Sequence, residues 1–294
     1  MNFNTYLSNF SKNFTEELIN IIPTSGLNTS NLKKAIVYTI KVGGKRLRPL
    51  LVMETSKILG VKKDSAIRVA SSVEFIHCYS LVHDDLPSMD NDDLRRGNLT
   101  CHKKFNEATA ILVGDALQSI AFEILSDLKT HKDGNVRSKL VNELAKCAGY
   151  SGMVEGQMQD LEAEKKKLKI DEIKKLQYLK TGKLFHFSCT AATILSQQED
   201  KYYSKFQKFS KNLGLAFQIK DDILDIEGDE KKMGKKVRKD ISLGKETFIS
   251  LKGIEDSKKY AELLIEEAIE IISIFGKSSD ILIKICRMIM KRSK

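Results

Sequence analysis

The 294-residue chain carries 49 lysines and arginines against 39 aspartates and glutamates, a formal net charge of +10, and 41% of its residues are hydrophobic. This composition is typical of a globular protein, and the length suits one large domain or two ordinary ones. Only three prolines occur and no stretch resembles a linker, so the sequence predicts one domain over residues 1–294. The five cysteines are scattered without CxxC spacing, which favours buried, reduced thiols over a zinc site or a disulfide framework.

The N-terminal segment lacks the basic start and apolar stretch of a secretory signal. No stretch reaches the roughly 18 apolar residues of a membrane span. We therefore expect a cytoplasmic protein without stable membrane insertion. The lysine-rich runs have no interleaved aromatic residues and no nucleic-acid motif, so we expect a solvated surface that does not bind nucleic acid.

Apolar residues recur at three- and four-residue spacing along almost the whole chain, which predicts helices and no strand. Thr29 or Ser30 is expected to cap the second helix. In chain order the expected helices span residues 3–21, 28–42, 49–59, 64–86, 106–128, 135–150, 153 to about 165, 171–196 and 201–225, with two more after a charged loop at 228–244. This count of about eleven or twelve helices predicts an all-α bundle.

An acidic stretch from Ser80 to Gly97, SLVHDDLPSMDNDDLRRG, packs five aspartates into ten residues and ends with Arg95 and Arg96. Crowded carboxylates repel one another unless they are solvated or share cations, and their hard oxygens suit Mg²⁺ that bridges to phosphates. Guanidinium groups bind phosphate bidentately. A solvated acidic loop is the alternative, but the apolar-rich segment EFIHCYSLVH beside the run favours a metal and phosphate site.

A second acidic stretch, FQIKDDILD, runs from Phe217 to Asp225. On a helix its polar side chains would share an arc of about 100°; they are Gln218, Asp221, Asp222 and Asp225. Carboxylates on an otherwise apolar helix are costly unless a cation meets them. Two such helices facing each other would form a cage for several Mg²⁺ ions and a diphosphate, whereas two unrelated surface patches are the alternative.

These two stretches resemble the aspartate-rich motifs of the trans-type isoprenyl diphosphate synthases, above all the bacterial farnesyl diphosphate synthases (geranyltranstransferases). Six further motifs match in order and spacing: GGKRLRP, EFIHCYSLVHDD, CHKKF, GDALQ, KTGKLF and GDEKKMGK. The similarity covers nearly the whole chain. It implies mostly antiparallel helices around a deep central cavity, which is the isoprenoid synthase fold, and a homodimer.

In this family an allylic diphosphate ionises, isopentenyl diphosphate attacks the cation, and loss of a proton leaves a chain five carbons longer. The resemblance implies that three Mg²⁺ ions, or Mn²⁺ in their place, are held on the leaving diphosphate by Asp84, Asp90 and Asp221. The resemblance implies less direct roles for Asp85, Asp222 and Asp225, which would orient other groups, form hydrogen bonds or act through water. The family pattern gives no direct role to Asp92 and Asp93.

The resemblance also implies two substrate sites. The allylic diphosphate contacts Arg95, Lys180 and Lys235, and the reacting carbons lie near Thr181 and Gln218, whose dipoles stabilise the cation. Isopentenyl diphosphate takes a metal-free pocket formed by Lys45, Arg48, His77 and Arg96. The remaining histidines, expected to be structural or on the surface, are His83, His102, His131 and His186. The released diphosphate takes the proton.

Product length is expected to depend on Tyr79. This residue stands five positions before Asp84, about 7.5 Å down the helix axis. In the family, an aromatic ring there together with two extra residues in the first motif goes with a C15 product. Phe75 is an alternative stopper, and ordinary core packing is the alternative role of Tyr79. We therefore predict farnesyl diphosphate, with geranylgeranyl diphosphate next. A terpene cyclase is less favoured, because it needs no isopentenyl diphosphate site.

Overall fold

A computed structural model describes residues 2–23, 30–164, 166–227 and 246–292. The helices of the first half are α1 (Phe3–Asn20), α2 (Asn31–Lys41), α3 (Leu47–Ile58), α4 (Lys63–Asp84), α5 (Cys101–Lys104), α6 (Glu107–Ser126) and α7 (Gly134–Ala148). The second half contains α8 (Met153–Ala163), α9 (Ile170–Gln177), a π-helical turn (Tyr178–Gly182), α10 (Lys183–Leu195), α11 (Glu199–Glu227), α12 (Phe248–Lys252), α13 (Ile254–Ser273), a 3₁₀ turn (Gly276–Ser279) and α14 (Asp280–Lys291). The predicted all-α class is confirmed.

The helix prediction needs four corrections. Helix α5 was not expected, and three described helices, α12 to α14, follow residue 246 where two were expected. A two-stranded hairpin, β1 (Leu94–Arg95) paired with β2 (Asn98–Leu99), occurs where no strand was expected. Its two turn residues, Arg96 and Gly97, have φ of 52° and 77°, which a two-residue hairpin turn requires. The helix predicted over 171–196 is interrupted by the π-helical turn.

Other local features follow the sequence. The side chain of Ser30 accepts a hydrogen bond from the Lys33 N–H at 3.1 Å and caps α2, while Thr29 lies outside the described residues. The loop predicted over 228–244 also lies outside them. All five cysteines are buried and free, as predicted.

Backbone contacts divide the chain into two compact units. Unit 1 comprises Met1–Met53 and Lys62–Val141, and unit 2 comprises Glu54–Val61 and Asn142–Lys294. A single domain over residues 1–294 stays a prediction.

The core of unit 1 is built on α4, which packs along α6. Residues 69–76 of α4 are buried without interruption. Among the described helices, α6 alone has the length and hydropathy of a membrane span, with a mean hydropathy of 1.5 and 39% of its apolar window buried. A core helix meets the same criteria, and α6 buries Ala110, Val113 and Leu117 in unit 1. The helix alone is therefore weak support for a membrane span.

The core of unit 2 is built on α10, α11 and α13. Residues 184–195 of α10 are all buried, as the apolar composition of this segment predicts. Helix α11 packs against both α10 and α13. The second acidic stretch lies in the last turns of α11, and the π-helical turn directly precedes α10.

Candidate active site

The first acidic stretch begins where α4 ends in unit 1. Asp84 is the last residue of α4, and its carbonyl oxygen accepts a hydrogen bond from the Asp90 N–H at 2.8 Å. Asn91, with φ of 49°, donates from its N–H to the Leu86 carbonyl at 3.1 Å. This turn folds the chain back, so that the half-buried Asp84 and Asp90 belong to the same tight turn.

Asp85 differs from its neighbours because it is almost fully buried, at 3% exposure. The Arg95 Nε donates to its two carboxylate oxygens at 2.8 and 2.9 Å. Burial raises the pKa of Asp85, and the hydrogen bonds from Arg95 oppose that rise. Asp85 therefore holds the guanidinium of Arg95 in place on β1.

Asp93 belongs to the hairpin. Its carboxylate pairs with Lys103 at 2.8 Å, and its carbonyl oxygen accepts from the Thr100 N–H at 3.0 Å. The side chain is 69% exposed. These contacts link the start of α5 to the hairpin.

A cluster of arginines surrounds His77 in unit 1. Burial lowers the pKa of His77 well below its usual value, and nearby guanidinium groups lower it further. In decreasing order of effect these belong to Arg48, Arg96, Arg95 and Arg46. The cavity beside them is lined by His77, Arg95 and Arg96 together with Thr39, Gly43 and Leu81. The structure thus brings a neutral imidazole and several guanidinium groups to one cavity.

The glycine turn before α3 contributes to this cluster. The backbone of Gly44 has φ of 148° and lies so close to the Arg96 guanidinium that any side chain at position 44 would overlap it. Lys45 is exposed on the same turn, and Arg48 is half-buried in the first turn of α3. Three of the residues predicted to bind isopentenyl diphosphate therefore lie at or next to this glycine turn. They are Lys45, Arg48 and Arg96.

Arg46 was missed by the sequence analysis. It is 3% exposed and forms an ion pair of 2.6 Å with Glu74 of α4. Its guanidinium also donates to the Ile40 carbonyl at 2.5 Å and to the Thr15 hydroxyl at 3.2 Å. The available signal was Glu74 itself, a carboxylate within a buried apolar helix, which requires a cationic partner.

Tyr79 lies on α4 in the core of unit 1, at 7% exposure. Its ring stands edge-on to the imidazole of His83 at a centroid distance of 5.6 Å. Burial, with a smaller effect of Asp84, raises the pKa of Tyr79 to about 12. The His83 Nε2 lies 3.1 Å from the Ile111 carbonyl of α6. Phe75 is fully buried, so both candidate stoppers are core residues.

In unit 2, the π-helical turn places Lys180 and Thr181. Lys180 Nζ donates to Asp160 of α8 at 2.7 Å. The backbone of Gly156 on α8 lies so close to that of Lys180 that an added Cβ would overlap it. The turn is therefore pressed against α8, and irregular π-helical turns of this kind are frequent at functional sites.

A chain of hydrogen bonds runs from the π-helical turn into the second acidic stretch. The Thr181 hydroxyl donates to the Gln218 carbonyl oxygen at 3.0 Å, and the Gln218 amide donates to Asp222 at 3.1 Å. The second carboxylate oxygen of Asp222 accepts from Gln177 at 2.9 Å. Both oxygens of the buried Asp222 are thus occupied by amides, which fixes the orientation of Gln218.

The other two aspartates of the second stretch have different surroundings. The side chain of Asp221 is 40% exposed and pairs with Arg292, which the sequence analysis did not single out. One oxygen of the 7% exposed Asp225 has no hydrogen-bond partner among the described residues. A buried carboxylate oxygen without a partner is costly, and hard oxygen donors are those that Mg²⁺ prefers. The residues of this stretch therefore fit a divalent cation. Lys235 lies outside the described residues.

The chain was compared with families and solved structures. The polyprenyl synthetase family model matches residues 29–280. A farnesyl diphosphate synthase from Bacillus subtilis (strain 168) is 42% identical over 263 residues, which cover 89% of each chain. An FPP/GFPP synthase structure from Zymomonas mobilis aligns with a TM-score of 0.87 at 40% identity, over 98% of this chain and 99% of the other. A Helicobacter pylori geranyltransferase, complexed with magnesium and isoprenyl diphosphate, aligns with a TM-score of 0.83 at 31% identity, over 99% and 97%. The chain therefore belongs to the polyprenyl synthetase family.

Proposed function

We propose that this enzyme is a Mg²⁺-dependent prenyltransferase that condenses isopentenyl diphosphate with dimethylallyl or geranyl diphosphate to give farnesyl diphosphate and diphosphate. The observation that carries the proposal is the arginine cluster around His77, in the same unit as the first aspartate-rich stretch. The cavity beside His77 is lined by three arginines and two carboxylates, Glu74 and Asp85, which pair with Arg46 and Arg95. Arg96 and the nearby Arg48 suit a diphosphate bound without metal. The aspartates suit a second diphosphate bound through metal ions. Head-to-tail condensation requires both of these diphosphate sites.

The proposed metal ligands are Asp84, Asp90 and Asp221, for three Mg²⁺ ions or for Mn²⁺ in their place. When bound, the ions neutralise the leaving diphosphate as Lewis acids. Arg95, held by Asp85, and Lys180, held by Asp160, then exchange carboxylate partners for phosphate oxygens. The similar Helicobacter pylori geranyltransferase is complexed with magnesium and isoprenyl diphosphate, which supports magnesium as the ion. Lys235 is proposed as a third group on the same diphosphate.

Thr181 and Gln218 act on the developing allylic cation. Because Gln218 donates its amide to Asp222 and accepts from Thr181, the lone pairs of both oxygens are held in fixed directions. Preorganised dipoles stabilise charge that appears in the transition state. Isopentenyl diphosphate is held by Lys45, Arg48, His77 and Arg96. The neutral His77 adds no charge to the arginines and can donate a hydrogen bond, and the departing diphosphate takes the proton.

Farnesyl diphosphate is the favoured product, and geranylgeranyl diphosphate is the alternative. The similarity to a farnesyl diphosphate synthase favours C15, whereas the dual name of the Zymomonas enzyme indicates that product length varies among relatives. A terpene cyclase would not need the arginine cluster. We further propose that the enzyme works in the cytoplasm as a homodimer with one domain over residues 1–294.

Product analysis tests this function. Purified protein with Mg²⁺, isopentenyl diphosphate and geranyl diphosphate should release diphosphate. Phosphatase treatment of the prenyl product should then give a C15 alcohol. The control omits isopentenyl diphosphate, and diphosphate release should then stop. Continued release with a hydrocarbon product would indicate a cyclase. A C20 product would instead support the alternative chain length.

A further inference from the structure

Three side chains with metal-binding atoms converge in unit 2, outside the aspartate-rich stretches. Glu143 and Cys147 lie one turn apart on α7, and His186 lies on α10. One ligand atom from each lies within 4.8 Å of those of the other two. The His186 Nε2 is 3.1 Å from the Glu143 Oε1, and the Cys147 Sγ is 3.9 Å from the same oxygen. We propose that Glu143, Cys147 and His186 bind a borderline-soft divalent transition metal, with Zn²⁺ as the first candidate.

The separations suit tetrahedral coordination. With bonds of about 2.0 Å to nitrogen or oxygen and about 2.3 Å to sulfur, the ligand atoms around Zn²⁺ lie roughly 3.3–3.6 Å apart. The two observed separations, 3.1 Å from nitrogen to oxygen and 3.9 Å from sulfur to oxygen, bracket this range. Small rotamer shifts would therefore complete the site without movement of α7 or α10.

A second oxygen atom lies beside the three ligand atoms. The Tyr203 hydroxyl of α11 lies 3.1 Å from the Glu143 Oε1 and 3.1 Å from the His186 Nε2. Burial and the Glu143 carboxylate raise the pKa of Tyr203, so its hydroxyl stays protonated and donates to the carboxylate. This contact orients Glu143, and the fourth coordination position is left to water or to the phenol oxygen.

His186 provides the nitrogen ligand. Its side chain is 4% exposed, and its Nε2 faces Glu143 and Tyr203, whereas its Nδ1 has no hydrogen-bond partner among the described residues. A proton on Nδ1 would leave the lone pair of Nε2 for the metal.

Cys147 adds a sulfur atom to this group. Its thiol donates a long hydrogen bond of 3.9 Å to the Glu143 Oε1, the same oxygen that lies 3.1 Å from His186 and from Tyr203. A metal binds the thiolate, so metal binding would release the proton of the Cys147 thiol. Thiolate and imidazole ligands select Zn²⁺ over Mg²⁺, which prefers oxygen.

Such a metal would tie α7 to α10 and stabilise unit 2. Co²⁺ is the probe, because a cobalt–thiolate bond gives a charge-transfer band in the near ultraviolet that carboxylate-bound Co²⁺ lacks. Apo-protein is titrated with Co²⁺ in excess Mg²⁺, which occupies oxygen-only sites. We expect one equivalent to produce the band, Zn²⁺ to abolish it, and Zn²⁺ to raise the melting temperature.

Two variants complete the test. Cys147→Ala should lose the band and weaken Co²⁺ binding at least tenfold, whereas Cys189→Ala, which removes another buried thiol of unit 2, should retain both. Cys147→Ser serves if the alanine variant fails to fold. The proposal is overturned if the wild-type protein gives no charge-transfer band, or if the band persists without the Cys147 sulfur. Prenyltransferase activity does not enter this readout, so the result is independent of the proposed function.

Discussion

Arg292 donates hydrogen bonds to the carboxylate of Asp221 and to the Phe217 carbonyl, the latter at 3.0 Å, and its guanidinium lies 4.0 Å from the centre of the Phe217 ring. Its side chain is only 9% exposed in this position. A cation at the end of α14 therefore occupies the carboxylate that we assign to Mg²⁺. Metal binding at Asp221 has to displace this contact.

Removal of the guanidinium should strengthen Mg²⁺ binding. Half-exposed ion pairs contribute about 0.2–1 kcal/mol, so Arg292→Ala should lower the Mg²⁺ dissociation constant up to about fivefold. Isothermal titration calorimetry with Mg²⁺ and inorganic diphosphate measures this dissociation constant. Arg287→Ala is the matched control, because Arg287 is an exposed arginine of the same helix. Equal affinities of the two variants would argue against competition at Asp221.

Replacement by asparagine should change the melting temperature in opposite directions at Asp222 and at Asp225. Asp225 has one buried oxygen without a described partner, so Asp225→Asn removes the charge of a carboxylate that is only partly satisfied and should raise the melting temperature in EDTA. Both oxygens of Asp222 accept amide hydrogen bonds, so Asp222→Asn should lower it. Each effect is expected at about 1–3 kcal/mol. An Asp225→Asn variant less stable than the wild type in EDTA would contradict this prediction.

The sequence was sufficient for features that depend on local patterning. The spacing of apolar residues predicted helices over 64–86 and 201–225, close to the observed α4 and α11. Features that depend on distant contacts were not accessible. The π-helical turn at Lys180 arises where the Gly156 backbone approaches it, and the burial of Arg46 depends on Glu74, 28 positions away. Neither partner is identified by spacing along the chain.

The ion pair between Arg46 and Glu74 should support the fold of unit 1. Breaking a buried pair leaves one charge without compensation, which costs about 3–5 kcal/mol. Glu74→Ala should therefore lower the free energy of unfolding by that amount in urea denaturation. Lys166→Ala, which breaks an exposed pair with Glu162, should change it by less than about 0.5 kcal/mol. Comparable losses in the two variants would contradict a structural role for the buried pair.

His77 should make stability depend on pH. Burial and the arginines lower its pKa in the folded protein, whereas the unfolded chain takes up the proton near pH 6.5. The unfolded state then binds more protons below about pH 6.5, so the free energy of unfolding falls as the pH drops through that value. His77→Gln should lose this part of the slope, measured by urea denaturation between pH 7.5 and about 5. His131→Gln should keep it; an unchanged slope in His77→Gln would refute the assignment.

Tyr79 should limit the length of the product. Its ring is buried on α4, five residues before Asp84, and a growing chain that passes this position would have to displace the ring. Tyr79→Ala should therefore shift the product from C15 towards C20 and longer, as measured by chromatography of the dephosphorylated alcohols. The edge-on contact with the His83 ring is lost in this variant, so its melting temperature is measured in parallel.

Phe75→Ala is the matched control for Tyr79, because it removes another buried ring one helical turn earlier on α4. If Tyr79 is the stopper, Phe75→Ala alone should leave the C15 product unchanged, while the double variant should extend the product beyond that of Tyr79→Ala. Lengthening in Phe75→Ala alone would transfer the role to Phe75. An unchanged product in both single variants would place the limit elsewhere and leave Tyr79 as a core residue that positions His83.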